Sequence, residues 1–224
     1  MADLELAGAA LRLLPQHAVH WPAEQTLFVS DLHLGKDAAL AHSGVPAPEG
    51  SVEADLARLG GLVDAQRVRR VVFLGDLFHC VGGIDPDAAL QVVTWAAQRP
   101  ALELLLVRGN HDDRAGDPPA EARIRCVDEP FELGPLALCH RPLAGLARPF
   151  LCGHLHPGFA RASGGGADGE RSPCFALLNG GLVLPSFGSL TGCHELKRHV
   201  PERVWMTGPE QLFELPACAL AASR

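Results

Sequence analysis

Residues that can bind a metal ion follow a short apolar segment near the start of the chain. The stretch TLFVSDLHLGK places Asp31 and His33 two residues apart, directly after apolar residues 27–29. Residues i and i+2 of an extended backbone point to the same side, so this carboxylate and this imidazole can converge on one point. A carboxylate oxygen and a neutral imidazole nitrogen together suit a divalent metal ion. Taken alone, the fragment also fits an ordinary surface turn.

The same arrangement recurs after four further apolar segments, RVVFLGDLFH, LELLLVRGNHDD, LALCH and PFLCGHLHP. In open α/β sheets, ligands bind outside the carboxyl ends of the strands. Five such endings in one chain indicate a functional site rather than chance. The polar residues that follow the four further segments are Asp76, His79, Asn110, His111, Asp112, His140, His154 and His156.

The candidate ligands are too many for one tetrahedral ion and suit two ions with about five or six ligands each. They are Asp31, His33, Asp76, Asn110, His140, His154 and His156. Two dications about 4 Å apart repel strongly unless negative charge lies between them. Asp76, in the middle of the series, is predicted to be that bridge. Nitrogen and oxygen ligands without thiolate favour Mn, Fe or Zn over Ca or Mg.

The segments that carry these residues predict a layered α/β protein. Helices are predicted over 51–67, with Ser51 as N-cap, and over 85–99, with Asp85 as N-cap and Pro86 in the first helical position. The order of strands and helices over 26–107 predicts a parallel sheet, and after about residue 130 strand follows strand. Strands buried on both faces are predicted at 26–29, 70–74, 102–107, 136–139, 149–152, 174–178, 182–187, 203–206 and 212–215.

Composition limits the classes of function. The 224 residues suit a single domain, 1–224, with a flexible loop at 161–173 and a disordered tail at 216–224. The sequence has no apolar run of about 18 residues and no secretory start, which predicts a cytoplasmic protein without a membrane partner. A net charge of −7 and the absence of Tyr argue against nucleic-acid binding through bulk charge or a base-stacking platform.

The motif series D-x-H, G-D, G-N-H-D, a lone His and G-H-x-H, over residues 31–156, resembles that of the calcineurin-like metallophosphoesterases. The resemblance implies an α/β fold of two β-sheets packed face to face with flanking helices, a four-layer αββα sandwich. It implies phosphoester hydrolysis by a hydroxide that bridges two metal ions, with His111 as the acid that protonates the leaving oxygen and Asp112 orienting its imidazole. By position, one ion would be held by Asp31, His33, Asp76 and His156, and the other by Asp76, Asn110, His140 and His154.

A second resemblance concerns the substrate. The segments LRLLPQHAVHWPAEQTLFVSDLHLGK and LPSFGSLTGC (184–193) are similar to the bacterial ligase-associated DNA-damage-response endonucleases. This similarity implies a DNA phosphodiesterase, dependent on Mn, that acts in DNA repair beside a DNA ligase and a helicase. The second motif reads GDLFHC and lacks the Arg of G-D-Y-V-D-R-G in the protein serine/threonine phosphatases, which disfavours a phosphoprotein substrate.

Several alternatives stay open in the sequence. His79 either supports a ligand or binds metal directly. The alternative function is a phosphodiesterase or phosphatase for a small nucleotide or lipid precursor, whereas the absence of an insertion long enough for a cap favours an open groove for DNA. A scaffold that only binds is disfavoured, because the ligands and the proton donor are all present. Basic residues near the motifs either contact substrate phosphates or only pair with carboxylates: Lys36, Arg108, Arg114 and Arg141. Histidines without a motif are interpreted as ordinary surface or core residues: His17, His20, His42, His194 and His199.

Overall fold

Two β-sheets carry the apolar segments in the computed structural model, which describes residues 1–79, 82–143, 145–160, 171–196 and 200–216. Within these residues, the first sheet has seven strands, β1 to β7 in chain order: Ala2–Leu6, Ala9–Leu14, Ala18–Trp21, Thr26–Val29, Arg70–Phe73, Glu103–Val107 and Ile124–Val127. The second sheet has nine, β8 to β16: Phe131–Leu133, Leu136–Leu138, Phe150–Cys152, Pro157–Ala160, Arg171–Leu178, Gly181–Val183, His194–Glu195, Arg203–Thr207 and Leu212–Glu214.

The strand directions bring the motif loops together at one edge of the first sheet. Strands β1 to β4 pair antiparallel, whereas β4, β5, β6 and β7 pair parallel, in that order. The parallel sheet predicted for residues 26–107 is therefore confirmed. Parallel strands end at the same edge, so the loops that follow β4, β5 and β6 are neighbours. In the second sheet, β9, β10 and β13 also pair parallel, and β9 and β10 likewise lead into motif histidines.

Four helices connect the strands of the described chain: α1 (Lys36–His42), α2 (Ser51–Gln66), α3 (Pro86–Ala97) and α4 (Asp112–Ala115). Asp85 is the N-cap of α3, as predicted, and its carboxylate accepts a hydrogen bond from Ala88 N–H at 2.8 Å. The predicted N-cap of α2 is wrong by one residue. Gly50, with φ of +77°, takes the cap position, and the Ser51 hydroxyl instead donates to Asp37 at 2.8 Å.

Alternate residues of the central strands serve two different cores. On β5, Val71 and Phe73 pack with residues of α2 and α3, such as Leu59 and Trp95. Val72, between them, points to the opposite face and packs in the core that joins the two sheets. A strand buried on both faces must be apolar at every buried position, which accounts for the continuous apolar run at 71–74. The predicted α/β sandwich of two face-to-face sheets is confirmed.

The helices are distributed unevenly over the sandwich. The long helices α2 and α3 cover the outer face of the first sheet. The outer face of the second sheet has its own buried cluster, which contains Cys139, Cys152 and Cys174. In the described ranges, strand and loop residues rather than helices complete this cluster: Leu143, Leu146, Leu155, Phe159, Leu196, Met206 and Leu215. No helix of the described residues has the length and apolarity to cross a membrane.

The strand predicted over 182–187 is too long. Strand β13 ends at Val183, and the chain then leaves the sheet toward the start of the motif series. Phe187 N–H donates to the Ser30 carbonyl at 2.8 Å instead of to a neighbouring strand of the second sheet. Most of the predicted loop, at 161–170, and the tail at 217–224 lie outside the described residues.

Candidate metal centre

Loops from both sheets deliver the candidate ligands. Asp31 and His33 follow β4, Asp76 follows β5 and Asn110 follows β6, all from the first sheet. Backbone hydrogen bonds join adjacent loops: Asp31 N–H donates to Gly75 at 3.1 Å and His33 N–H to Asp76 at 3.0 Å. The second sheet contributes the residues that follow β9 and β10, namely His140, His154 and His156.

Asp31, His33 and His156 form the first ligand group, in which one ligand atom from each residue lies within 4.8 Å of the others. His156 Nε2 approaches Asp31 Oδ1 to 3.2 Å, in a geometry that makes no hydrogen bond. Among the described residues, Asp31 Oδ1 and His33 Nε2 are buried without a hydrogen-bond partner. Buried polar atoms of this kind are costly unless something binds them. A divalent cation fits both atoms.

Asp76, His140 and His154 form the second ligand group, also within 4.8 Å of one another. Asn110 Oδ1 and His154 Nδ1 lie 3.1 and 3.0 Å from His140 Nε2, so several lone-pair atoms converge on one place. The other ring nitrogen, His140 Nδ1, lies 3.1 Å from the Leu74 carbonyl. This contact makes Nδ1 the protonated nitrogen, because a carbonyl only accepts, and leaves Nε2 free to bind metal.

The Asp76 carboxylate lies between the two groups. Its Oδ2 atom is 3.6 Å from His33 Nε2 and 3.4 Å from His140 Nε2. Its Oδ1 atom accepts a hydrogen bond from His111 N–H at 2.8 Å, which holds the carboxylate in place. This position is the one that a bridging ligand would occupy, and bridging by Asp76 stays a prediction.

The backbone of the ligand loops is strained. A left-handed φ in residues other than Gly costs on the order of 1–3 kcal/mol and is characteristic of functional sites. Five candidate ligands have such angles, of 52°, 48°, 53°, 66° and 43°: Asp31, His33, Asp76, His154 and His156. The paired ligands, Asp31 with His33 and His154 with His156, therefore reach one point through turns and not through the extended backbone predicted from the sequence.

The glycine of the G-D motif is required by close packing against a ligand. Gly75 has φ of +83°, and a Cβ atom at this position would overlap the ring of His140. Only Gly accepts both the angle and the approach. The glycine of this motif is therefore explained by close packing: the loop after β5, in the first sheet, approaches His140, which follows a strand of the second sheet.

The environment of two candidate ligands, His33 and His154, favours the neutral imidazole. Burial lowers the pKa of His33 to about 3 and, with repulsion from His140, lowers the pKa of His154. Neutral imidazole is the form that binds metal. With its buried nitrogen and oxygen donors and its buried atoms without a hydrogen-bond partner, the site fits divalent metal ions.

Asp112 braces two of the ligand loops. Its carboxylate accepts hydrogen bonds from the backbone N–H groups of Asp76 at 2.7 Å, Leu77 at 3.0 Å and Gly109 at 2.8 Å. Burial, with a smaller contribution from the charge of Asp76, raises the pKa of Asp112 to about 6. Orientation of the His111 ring by Asp112 stays a prediction, and the observed bonds give Asp112 a further role in holding the Asp76 loop.

His79 and His111 lie together beside His33. The His111 ring meets the His33 ring edge-on, with centroids 4.8 Å apart, and stacks on His79 at 5.1 Å. His79 Nδ1 is 3.4 Å from His33 Nδ1, and the three histidines form a third group with ligand atoms within 4.8 Å. Contact with a ligand agrees with a supporting role for His79, and the geometry also leaves direct metal binding open. The catalytic role of His111 stays a prediction.

Two of the four candidate phosphate contacts are engaged by carboxylates. Arg108 donates to Asp117 at 2.7 and 2.8 Å and to Asp128 at 2.7 Å. Arg141 donates to Glu129 at 2.8 and 3.1 Å. Of the two alternatives given for these residues, substrate contact or pairing with carboxylates, the structure shows the pairing with carboxylates. Substrate contact stays a prediction for all four, with Lys36, at the start of α1, and the exposed Arg114 as the stronger candidates.

Some residues at the site were missed by sequence reasoning. Glu129 accepts a hydrogen bond from His140 N–H at 2.8 Å. His194, interpreted from sequence as an ordinary residue, stacks on His156 with centroids 6.0 Å apart, and its N–H donates to the His156 carbonyl at 2.7 Å. Neither residue belongs to a motif, and both reach the site only through sheet pairing, so the sequence carries no local signal for them.

Comparison with known proteins identifies the family. The model of the calcineurin-like phosphoesterase family matches residues 25–160, which include the complete motif series. This chain therefore belongs to the calcineurin-like phosphoesterases and is a metal-dependent phosphoester hydrolase.

Among solved structures, the chain is similar to the nuclease MPE of Pseudomonas putida, with 34% sequence identity and a TM-score of 0.79. That similarity covers 96% of this chain and 99% of the nuclease. Yfce, a phosphoesterase from E. coli, has 14% identity and a TM-score of 0.43, over 85% of this chain and 97% of its own. No curated protein sequence matches the chain.

Proposed function

We propose that this protein is a metal-dependent DNA endonuclease with two ions in one site. The observation that carries the proposal is the similarity, at 34% identity over 96% of the chain, to a protein described as a nuclease. The two ligand groups around Asp76 support the number of ions. Mn is the proposed metal, with Fe and Zn as the other metals that suit nitrogen and oxygen donors. Repair of DNA beside a ligase and a helicase, in the cytoplasm, is the proposed setting.

The residues divide into two ligand sets. One ion would be held by Asp31, His33, Asp76 and His156, and the other by Asp76, Asn110, His140 and His154. When bound, such ions supply Lewis acidity, which activates water and offsets negative charge on a phosphoryl group.

The chain's own residues supply the remaining parts of the mechanism. His111 would hold a proton on its imidazole and give it to the leaving oxygen, since an alkoxide is a poor leaving group without protonation. Its backbone is fixed by the hydrogen bond to Asp76, and its ring by the contacts with His33 and His79. Lys36 and Arg114 are the proposed contacts for phosphates on either side of the cleaved bond.

The test uses the Mn-loaded protein on circular single-stranded DNA, circular duplex DNA and bis-p-nitrophenyl phosphate. Circular substrates have no ends, so any cleavage is internal. We expect cleavage of DNA with little sequence preference, because the described residues around the site include no array of side chains of the kind that reads base edges. Asp76→Ala, prepared in parallel, is expected to be inactive and excludes a contaminating nuclease. Rapid hydrolysis of nucleotides or lipid phosphodiesters with intact DNA would support the small-molecule alternative instead.

A further inference from the structure

The loop 185–189 lies outside the motif series and packs directly on the first ligand loop. Phe187 N–H donates to the Ser30 carbonyl at 2.8 Å, and Gly188 N–H donates to the Asp31 carbonyl at 3.2 Å. Ser30 returns a bond from its hydroxyl to the Pro185 carbonyl at 3.3 Å. A Cβ atom on Gly188 would overlap the Leu32 carbonyl, so only Gly permits this approach. The loop therefore touches the backbone of a candidate metal ligand.

Two charged residues of α2 hold this loop from the other side. The Asp55 carboxylate, only 4% exposed, accepts hydrogen bonds from Ser189 N–H at 2.9 Å and from its hydroxyl at 3.1 Å. Arg58 pairs with Asp55 at 3.0 Å, donates to the Phe187 carbonyl and lies 4.2 Å from the centre of the Phe187 ring. A carboxylate is buried at this cost only where it is paired and hydrogen-bonded, as Asp55 is.

We propose that Asp55 and Arg58 are positioning residues of the metal centre, which act on Asp31 through the loop 185–189. Asp31 has a left-handed φ of 52° and a fully buried side chain, so its geometry must be imposed by its surroundings. The chain of contacts runs from Asp55 through Ser189 and Gly188 to the Asp31 carbonyl. The supporting role resembles that of groups behind metal ligands in other proteins, whose loss weakens metal binding.

The contacts reach the first ligand group directly, because Asp31 belongs with His33 and His156. They reach the second group only through one hydrogen bond, from His154 N–H to Asp31 Oδ2 at 2.9 Å, and His140 of that group is also held by the Leu74 carbonyl and by Glu129. Loss of the Asp55 contacts should therefore weaken the first ion more than the second. This inference rests on the proposed assignment of Asp31 to one of two ions.

The experiment measures Mn²⁺ binding to the metal-free protein by calorimetry, beside thermal unfolding in the presence of chelator. In Asp55→Ala, the affinity for one ion should fall about 10- to 100-fold, the usual effect of removing a group that supports a ligand, while the affinity for the other ion falls clearly less. Ser189→Ala, which keeps the backbone bond to Asp55, should show a smaller loss for the same ion. Asp64→Asn, an exposed carboxylate on the same helix, is the matched control and should bind both ions normally.

The outcomes separate positioning from general stability. Wild-type affinity for both ions in folded Asp55→Ala, or equal weakening of both ions, would overturn the proposal. If Asp55→Ala does not fold, Asp55→Asn and Ser189→Ala decide in its place, and unchanged Mn²⁺ binding in both would overturn it equally. Failure of the wild type to bind two ions would instead overturn the proposed two-ion function, and the positioning role with it.

Discussion

The two ligand groups draw on the two sheets in different proportions. With Asp76 counted in both, the first group takes three residues from the first sheet and only His156 from the second, whereas the second group takes Asp76 and Asn110 from the first sheet and two histidines from the second. The groups also differ in hydrogen bonding. Among the described residues, the first contains two buried atoms without a hydrogen-bond partner, whereas in the second the other ligand atoms lie close to His140 Nε2. Neither group can form within one sheet, so each ion would fasten the sheets together at this edge.

The largest effect is expected at the residue between the groups. Asp76→Ala should lose both ions, because Asp76 Oδ2 is near a nitrogen of each group. Bound metal ions stabilise the charge of the transition state by several kcal/mol, so their loss should lower activity on the order of 10⁴-fold. Metal content per chain and turnover on bis-p-nitrophenyl phosphate check this, with the exposed Asp113→Ala as control. One tightly held ion that survives the substitution would disprove bridging.

A second substitution separates metal binding from proton transfer. His111→Ala should keep both ions and lose roughly 10²–10⁴-fold in DNA cleavage, the usual contribution of a general acid. The loss should be small for bis-p-nitrophenyl phosphate, whose leaving group needs little protonation. Asn110→Ala should instead weaken the second ion and slow both substrates alike. Equal damage to both substrates by His111→Ala, with reduced metal content, would mean that His111 is a ligand or a positioning residue.

A third substitution tests the bracing of the Asp76 loop. Asp112→Ala leaves three buried N–H groups without an acceptor. At about 1–3 kcal/mol for each unsatisfied group, the free energy of unfolding should fall by about 3 kcal/mol or more. For a chain of this size the melting temperature should fall by roughly 6–12 °C. Thermal unfolding in chelator measures this, and an unchanged melting temperature would show that water replaces the lost acceptor.

The smallest effect is expected at Arg108. Its ion pairs with Asp117 and Asp128 are partly exposed, and such pairs contribute about 0–1 kcal/mol. Arg108→Gln should therefore leave the melting temperature and the KM for DNA nearly unchanged. Lys36→Gln, by contrast, should raise the KM for DNA, since Lys36 is a candidate phosphate contact. A clear rise in KM for Arg108→Gln would restore that residue as a substrate contact.

The convergence of the candidate ligands was predictable because each follows an apolar segment whose place in a sheet can be inferred. The parallel order of β4, β5 and β6 then brings Asp31, Asp76 and Asn110 to one edge. The Asp55 contact was not predictable, since Asp55 and Ser189 are 134 residues apart and only the packed fold brings them together. The contact between His194 and His156 likewise forms only when β14 pairs with β11.

The helix and strands that were not predicted from the sequence lack the hydrophobic pattern by which such elements are recognised. None of the residues of α1 (36–42) is fully buried, so it presents no apolar stripe. Strands β1 to β3 were not identified, although β1 alternates from Leu4 to Leu6 in burial, because short strands gain their stability from pairing with their neighbours. Residues 184–187 were apolar enough for a strand, but beyond Leu184, which still donates to the Cys152 carbonyl, Pro185 and Phe187 bond to Ser30 beside Asp31.

The spread of the ligands along the chain sets the time at which the site can form during synthesis. About 125 residues separate Asp31 from His156, and at roughly 5–20 residues per second the ribosome needs about 6–25 s to add them. Closure of so long a loop is slow and requires the intervening strands to pair first. Metal binding is therefore expected at the end of folding, when it further stabilises two sheets that hydrophobic packing has already brought together.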